Sequence, residues 1–304
     1  MKKKGNSQNK QPVAGEVRIE YLHPHEIEKR MAECPVLFQP LGTVEWHGKQ
    51  NWVGVDALKA HALCVRAAQK GGGLVAPTVY GGVGGLDQPH TFVIEPENSL
   101  AGVLVRPWIE KLCREAVRQG FRAIILLTGH YGAGQQMIVR EVAVRMSTVL
   151  NVPVLGEPEY FLALDEGYTG NHGAWGETSL MMHLYPGSVD FSRLGNAPHQ
   201  GVFGRDPKIH ASAKDGKRLA DTIVKRLAHL AKRMPKWDRK TLDRYISAQK
   251  ALVDRQIRLA GLPGNNAWTA WRHVADGKTM INYGRWLVNE QFEKISNGRN
   301  TVVS

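Results

Sequence analysis

Cysteine is scarce in this chain. The three residues, Cys34, Cys64 and Cys113, fit no zinc spacing, and their odd number argues against a disulfide framework. They read as buried, reduced thiols, the usage of a reducing compartment. No apolar run approaches the roughly 20 residues that cross a bilayer. The head, MKKKGNSQNKQPVAGE, is basic and polar and lacks the apolar stretch of a secretory leader. A soluble, cytoplasmic protein without a membrane partner is the expectation. Zinc-finger spacing, an RRM signature and a basic region feeding heptads are missing too. The net charge of +12 is therefore assigned to a solvated surface and a lysine-rich head, not to a nucleic-acid module. There is no internal repeat.

What the chain does have is glycine, 32 residues of it, much of it at the ends of apolar runs. That is the habit of a fold with many tight strand-to-helix turns. With 304 residues, 42% hydrophobic and 22% charged, it suits one large domain or one domain with an extension. Residues 1–15 are expected to be disordered. After a short strand and helix within VRIEYLHPHEIEKRM, an alternation begins. Strands are predicted at 36–41, 74–76, 123–127 and 152–155, and helices at 56–70, 99–119, 133–150, 177–184 and 214–233. Short, fully apolar strands alternating with helices predict a parallel sheet covered on both faces. From Lys236 the pattern changes, and 236–304 reads as a helical C-terminal extension to a domain over 16–235. YISAQKALVDRQIRLAG and INYGRWLVNEQFEKIS are its candidate helices.

Acidic and histidine residues collect in four stretches: Glu45 and His47 in GTVEWHG, Asp56 in WVGVDALKA, His130 in ILLTGHYGAG, and His172 with Glu177 in NHGAWGETS. Most lie just past a predicted strand or at the start of a predicted helix. In an open parallel sheet ligands bind beyond the carboxyl ends of the strands. Carboxylates and imidazoles gathered there suit a divalent metal that activates water, so the residues point to a metal-dependent hydrolase. Each has a plainer reading on its own. Glu45 and His47 share a face of an extended segment but could be a surface pair beside a turn. Asp56 suits the N-cap of the helix that follows. Glu177 suits the positive end of a helix dipole. The loop around His130 lacks both the Walker Lys-Ser/Thr and the GxGxxG spacing. His90 sits in a turn-rich segment that could border a pocket, and Trp46 and Trp175 could wall one.

Taken together and in order, Leu41-Gly42-Thr43-Val44-Glu45-Trp46-His47-Gly48, Val55-Asp56, Pro77-Thr78-Val79-Tyr80-Gly81, Gly129-His130-Tyr131-Gly132 and His172-Gly173-Ala174-Trp175-Gly176-Glu177-Thr178-Ser179 resemble the creatininase (creatinine amidohydrolase) family. The likeness spans about residues 36–225. It implies a three-layer α/β/α sandwich with a mainly parallel central sheet, a homo-oligomer, often a hexamer, and two divalent ions of zinc, manganese or iron. The implied chemistry is hydrolysis of a C–N bond in a small cyclic amide, formamide or peptide. By motif position Glu45, His47, Asp56 and His130 would be metal ligands, with Asp56 bridging. Glu177 is the candidate for a further carboxylate, and His172 matches the catalytic histidine. Tyr131, or an N–H of its Gly-rich loop, is the candidate oxyanion donor. Tyr131, Trp175, Trp46 and His90 are the candidate substrate-binding residues. Creatininase proper has Glu where this chain has Gly132, so the second ion would rely on Glu177 or be held weakly. Indoles at Trp46 and Trp175 replace polar residues of relatives, which argues against creatinine as substrate. The rival expectation is a degenerate member that binds a ligand or nucleic acid without turnover.

Overall fold

Two apolar runs, VLFQPLG and AIILLT, form the centre of a parallel sheet, β1 (Val36–Gly42) and a later strand (Ala123–Thr128), with every residue buried. A computed structural model describes residues 15–96, 102–274 and 277–296. Apart from Gly15, the head expected to be disordered lies outside the described residues. In chain order the elements are α1 (Pro24–Glu33), β1, α2 (Val55–Gly71), β2 (Leu74–Val75), β3 (Val79–Tyr80), α3 (Val105–Arg118), β4 (Ala123–Thr128), α4 (Ala133–Leu150) and β5 (Val154–Pro158). Then follow α5 (Trp175–Leu184), α6 (Pro207–His210), α7 (Ala213–Arg233), α8 (Arg239–Ala260), α9 (Ala267–Val274), α10 (Gly277–Met280), α11 (Tyr283–Val288) and α12 (Phe292–Ser296).

The strand order is β2-β1-β4-β5, with β3 also paired to β1, and every pairing is parallel. Side chains alternate across the pleat. Val36 and Phe38 of β1 and Ile125 and Leu127 of β4 face one core, shared with α2, α5, α7 and α8. Leu37, Leu41, Ile124 and Leu126 face the other, shared with α3 and α4. Apolar residues on both faces of each strand thus require two helical layers, and the expected three-layer sandwich is what forms.

The chain leaves β1 towards β2 on one side and returns to β4 on the other. Between β1 and β4 the order reverses, which makes the gap at their carboxyl ends the switch point where α/β sheets bind ligands. Leu41 and Thr128 are register partners, so the segments leaving both strands emerge side by side. Both exits press on the first turn of α2. A Cβ on Gly42 would lie 2.4 Å from the Ala57 nitrogen, and one on Gly129 would lie 2.1 Å from the Asp56 carbonyl oxygen. Glycine there is a packing requirement.

Several expected boundaries moved, each for a local reason. The helix expected from Ser99 starts at Val105, whose N–H donates to the Glu95 carboxylate at 2.7 Å; residues 97–101 lie outside the described residues. The strand expected over 152–155 is Val154–Pro158. Asn151 ends α4 in the left-handed region, and pairing with β4 begins at Ile124–Val154. The short strand expected near residue 18 is a single bridge from Arg18 to Val75 followed by a 3₁₀ turn. The second C-terminal helix breaks into α11 and α12 at Glu290 (φ 56°), whose carboxylate is held by Arg233 and Trp237.

Candidate metal centre

Six of the residues singled out in the sequence meet in one buried cluster beyond β1 and β4. Glu45 and His47 lie on the segment leaving β1, and Asp56 lies on the first turn of α2. His130 follows β4, Glu177 is in the first turn of α5, and His172 is on the loop before it. The N-cap of α2 is Gly54, so Asp56 is not the capping residue that the sequence suggested. Its carboxylate meets two histidines instead. His47 Nε2 lies 3.0 Å from Asp56 Oδ1, and His130 Nδ1 lies 3.1 Å from Asp56 Oδ2.

The imidazoles are oriented by backbone carbonyls, which can only accept. His47 Nδ1 is 3.0 Å from the Glu45 carbonyl oxygen, and His130 Nε2 is 3.1 Å from that of Val83, so each of these nitrogens carries a hydrogen. The opposite nitrogens face carboxylates. His130 Nδ1 is also 3.1 Å from Glu45 Oε2. His47 Nε2 is 3.5 Å from Glu177 Oε2, yet it is buried with no hydrogen-bond partner of acceptable geometry. A buried nitrogen without a partner, aimed at two carboxylates, calls for a shared cation. The donors fall into three groups, Glu45–Asp56–His130, His47–Asp56–Glu177 and Glu45–His47–His172, in each of which the ligating atoms lie within 4.8 Å of one another. Asp56 belongs to the first two, with one oxygen near each histidine. The donor set of this chain fits two divalent ions sharing a carboxylate.

The charges of the cluster hold one another. Burial pushes Asp56 towards neutrality, but His47, His130 and Lys59 outweigh it, and its pKa lies well below the carboxylate norm. Burial likewise opposes charge on His130, and Glu45 and Asp56 overcome it, raising its pKa well above the imidazole norm. His172 is the opposite case. Burial and the neighbouring His47 lower its pKa to about 4, so it is neutral at pH 7. Its ring stacks on His47 with centroids 4.0 Å apart, and its Nε2 donates to the Trp46 carbonyl at 2.6 Å.

Two participants escaped the sequence reading. Lys59 is fully buried; its ammonium contacts Glu177 and lies 3.5 Å from Glu159, 3.7 Å from Asp56 and 4.0 Å from the centre of the Tyr131 ring. Glu159, just past β5, is fully buried and accepts from the Tyr131 hydroxyl. A lysine one turn after Asp56, on the buried face of α2, was the available signal for the first. Glu159 lies on a strand exit whose register the sequence misplaced.

The candidate substrate residues fare unevenly. A cavity of about 570 Å³ opens over the cluster, lined by Glu45, His130, Tyr131, His172 and others. The Tyr131 hydroxyl is turned away to Glu159 and lies 2.6 Å from that of Tyr168. Trp175 is buried in an edge-on contact with Tyr168, beneath the Arg205 guanidinium, and packs rather than walls. Trp46 and His90 stack loosely, centroids 6.5 Å apart, and neither lines this cavity. In their place stand Leu86, Asn171, Phe203 and Trp268.

A parallel three-layer α/β sandwich with paired carboxylate–imidazole groups at its switch point defines the class: an α/β protein built around a buried cluster whose donors could hold two metal ions. The creatinine amidohydrolase (creatininase) family profile matches residues 20–231, and the chain belongs to that family. It is 33% identical over 212 residues to the creatinine amidohydrolase of Pseudomonas putida, covering 60% of this chain and 79% of that one. Among solved structures, a creatininase mutant of Zn-Zn type superposes with a TM-score of 0.58 at 27% identity, over 72% of this chain and 99% of the other. A manganese creatininase gives 0.57 at 27% identity with the same coverage. Among the described residues no helix is long and apolar enough to cross a membrane.

Proposed function

We propose that this chain is a metal-dependent amidohydrolase that cleaves a C–N bond of a small amide. In this reading Glu45, Asp56 and His130 hold one divalent ion and His47, Asp56 and Glu177 the other, zinc or manganese as in the relatives' structures. The observation that carries it is the shared Asp56 between two histidines whose rings are oriented by backbone carbonyls on their opposite nitrogens. When bound, such ions supply Lewis acidity that lowers the pKa of water towards about 7 and polarises an amide carbonyl. The chain's own residues do the rest. His172 borders the cavity as a neutral imidazole, so it can accept a proton and return it to the leaving nitrogen. Lys59 and Glu159 keep Glu177 and Tyr131 in place from behind. Creatinine itself is disfavoured, because the cavity is large and partly apolar. Residues 16–235 are the catalytic domain in this reading and 236–304 an added helical segment.

The test is elemental analysis of the purified full chain, followed by an amide-substrate screen with zinc or manganese restored. About two ions per chain and metal-dependent amide turnover are expected. His172→Ala should retain its metal while kcat falls by about 10²–10⁴-fold. A protein that takes up no divalent ion would refute the reading.

A further inference from the structure

The cavity over the metal centre has a wall from outside the family match. Trp268 lies near the start of α9, beyond residue 231 where the family profile ends. The metal-form relatives are covered almost whole by 72% of this chain, so more than a quarter of it is extra to them. Its place is fixed by packing. Ala267 is buried against Ala133 and Met137 of α4, the helix that follows the His130 loop, and Ala270 is fully buried. Trp268 itself stays 40% exposed and lines the cavity together with Leu86 and with Phe203, which is 58% exposed. Large aromatic side chains left accessible at the mouth of a cavity provide apolar surface that a ligand can cover.

Charge sharpens the point. The chain carries a net +12, yet none of the described residues lining this cavity is lysine or arginine. Among the described lining residues the acidic and imidazole side chains are Glu45, His130 and His172, all of the metal cluster. Resting on the hydrolase reading above, we propose that Trp268 is a specificity residue. With Phe203 and Leu86 it forms a slot for a flat aromatic group attached to the scissile amide.

The probes are two hydroxamates, which chelate a divalent ion through the same head and differ in their tail. Zinc-loaded full-length protein is titrated calorimetrically with acetohydroxamate and with benzohydroxamate, and metal content is measured on the same samples. The wild type should prefer benzohydroxamate by about tenfold. In Trp268→Ala that preference should shrink to about twofold, with acetohydroxamate binding unchanged; Trp268→Phe should keep most of it. Trp268→Gln serves if the alanine variant fails to fold. Undiminished preference in a folded, metal-loaded Ala or Gln variant overturns the slot and leaves the hydrolase reading intact. Failure of the wild type to take up zinc, or to bind either hydroxamate, overturns both.

Discussion

His47 and His130 show how a metal centre is built from single side chains. Each ring spends one nitrogen on a backbone carbonyl and turns the other towards the carboxylates, so both are oriented before any ion arrives. Asp56 lies between them with one oxygen for each. Its loss should therefore be worse than the loss of either outer ligand. Asp56→Ala is expected to empty both sites, whereas Glu177→Gln should lower the content from about two ions to about one per chain, as read by elemental analysis after dialysis. Lys59 is a second cation built into the chain. Replacing it by Met removes the buried ammonium between Glu177 and Glu159, and the metal-free protein should lose about 3–5 kcal/mol of stability in urea unfolding. Metal loading should recover part of that loss, because a divalent ion also neutralises Glu177. A Lys59→Met protein as stable as wild type without metal would remove this role.

At the scale of elements, the site depends on where strands end. The in-register pair β1–β4 delivers Glu45 and His130 side by side, and the first turn of α2 presses against both exits. Gly129→Ala puts a methyl onto the Asp56 carbonyl, so either α2 or the His130 loop must move. The expected outcome is a metal affinity at least about tenfold weaker, with the fold retained by circular dichroism, since a shift of a few tenths of an ångström in a ligand is felt directly. These strands were legible because they are mostly apolar runs buried on both faces, and α7 because its Ser212 cap and its amphipathic periodicity agree. Other features were hidden for physical reasons. Val152 and Pro153 are apolar enough to read as strand, yet the pairing starts at Val154. Asp56 has the chemistry of a cap, but its carboxylate is drawn to two imidazoles. Trp175 looks like a pocket wall in the sequence, and only the packing against Tyr168 shows that it faces inward.

At the scale of the whole molecule, the C-terminal helices are joined to the sandwich through buried polar contacts. The Tyr245 hydroxyl donates to the Val154 carbonyl at 2.9 Å on the edge strand, and that of Tyr283 donates to Glu157, which also pairs with Arg140. Nearer the surface, Asp165 binds Arg226 of α7 through both carboxylate oxygens and Arg285 of α11 through one. Burial works against its charge, but the two guanidiniums prevail and hold its pKa below the carboxylate norm. The sign follows. A carboxylate with a depressed folded pKa adds stability above its unfolded value of about 4, and that stability is lost as pH falls through the folded pKa. The stability difference between wild type and Asp165→Asn should be largest near neutral pH and shrink below about pH 4. Urea unfolding at a series of pH values checks this; a difference independent of pH would exclude the linkage.

The amino-acid sequence by itself determined the layered parallel sheet, the family and the set of carboxylates and imidazoles, because apolar periodicity and residue chemistry are local properties written along the chain. Which oxygen of Asp56 meets which histidine, the burial of Lys59 and the arrival of Trp268 at the cavity depended on contacts between segments far apart in the chain, 118 positions in the case of Lys59 and Glu177. Such contacts are set by how helices pack on the sheet, and no local pattern encodes that packing.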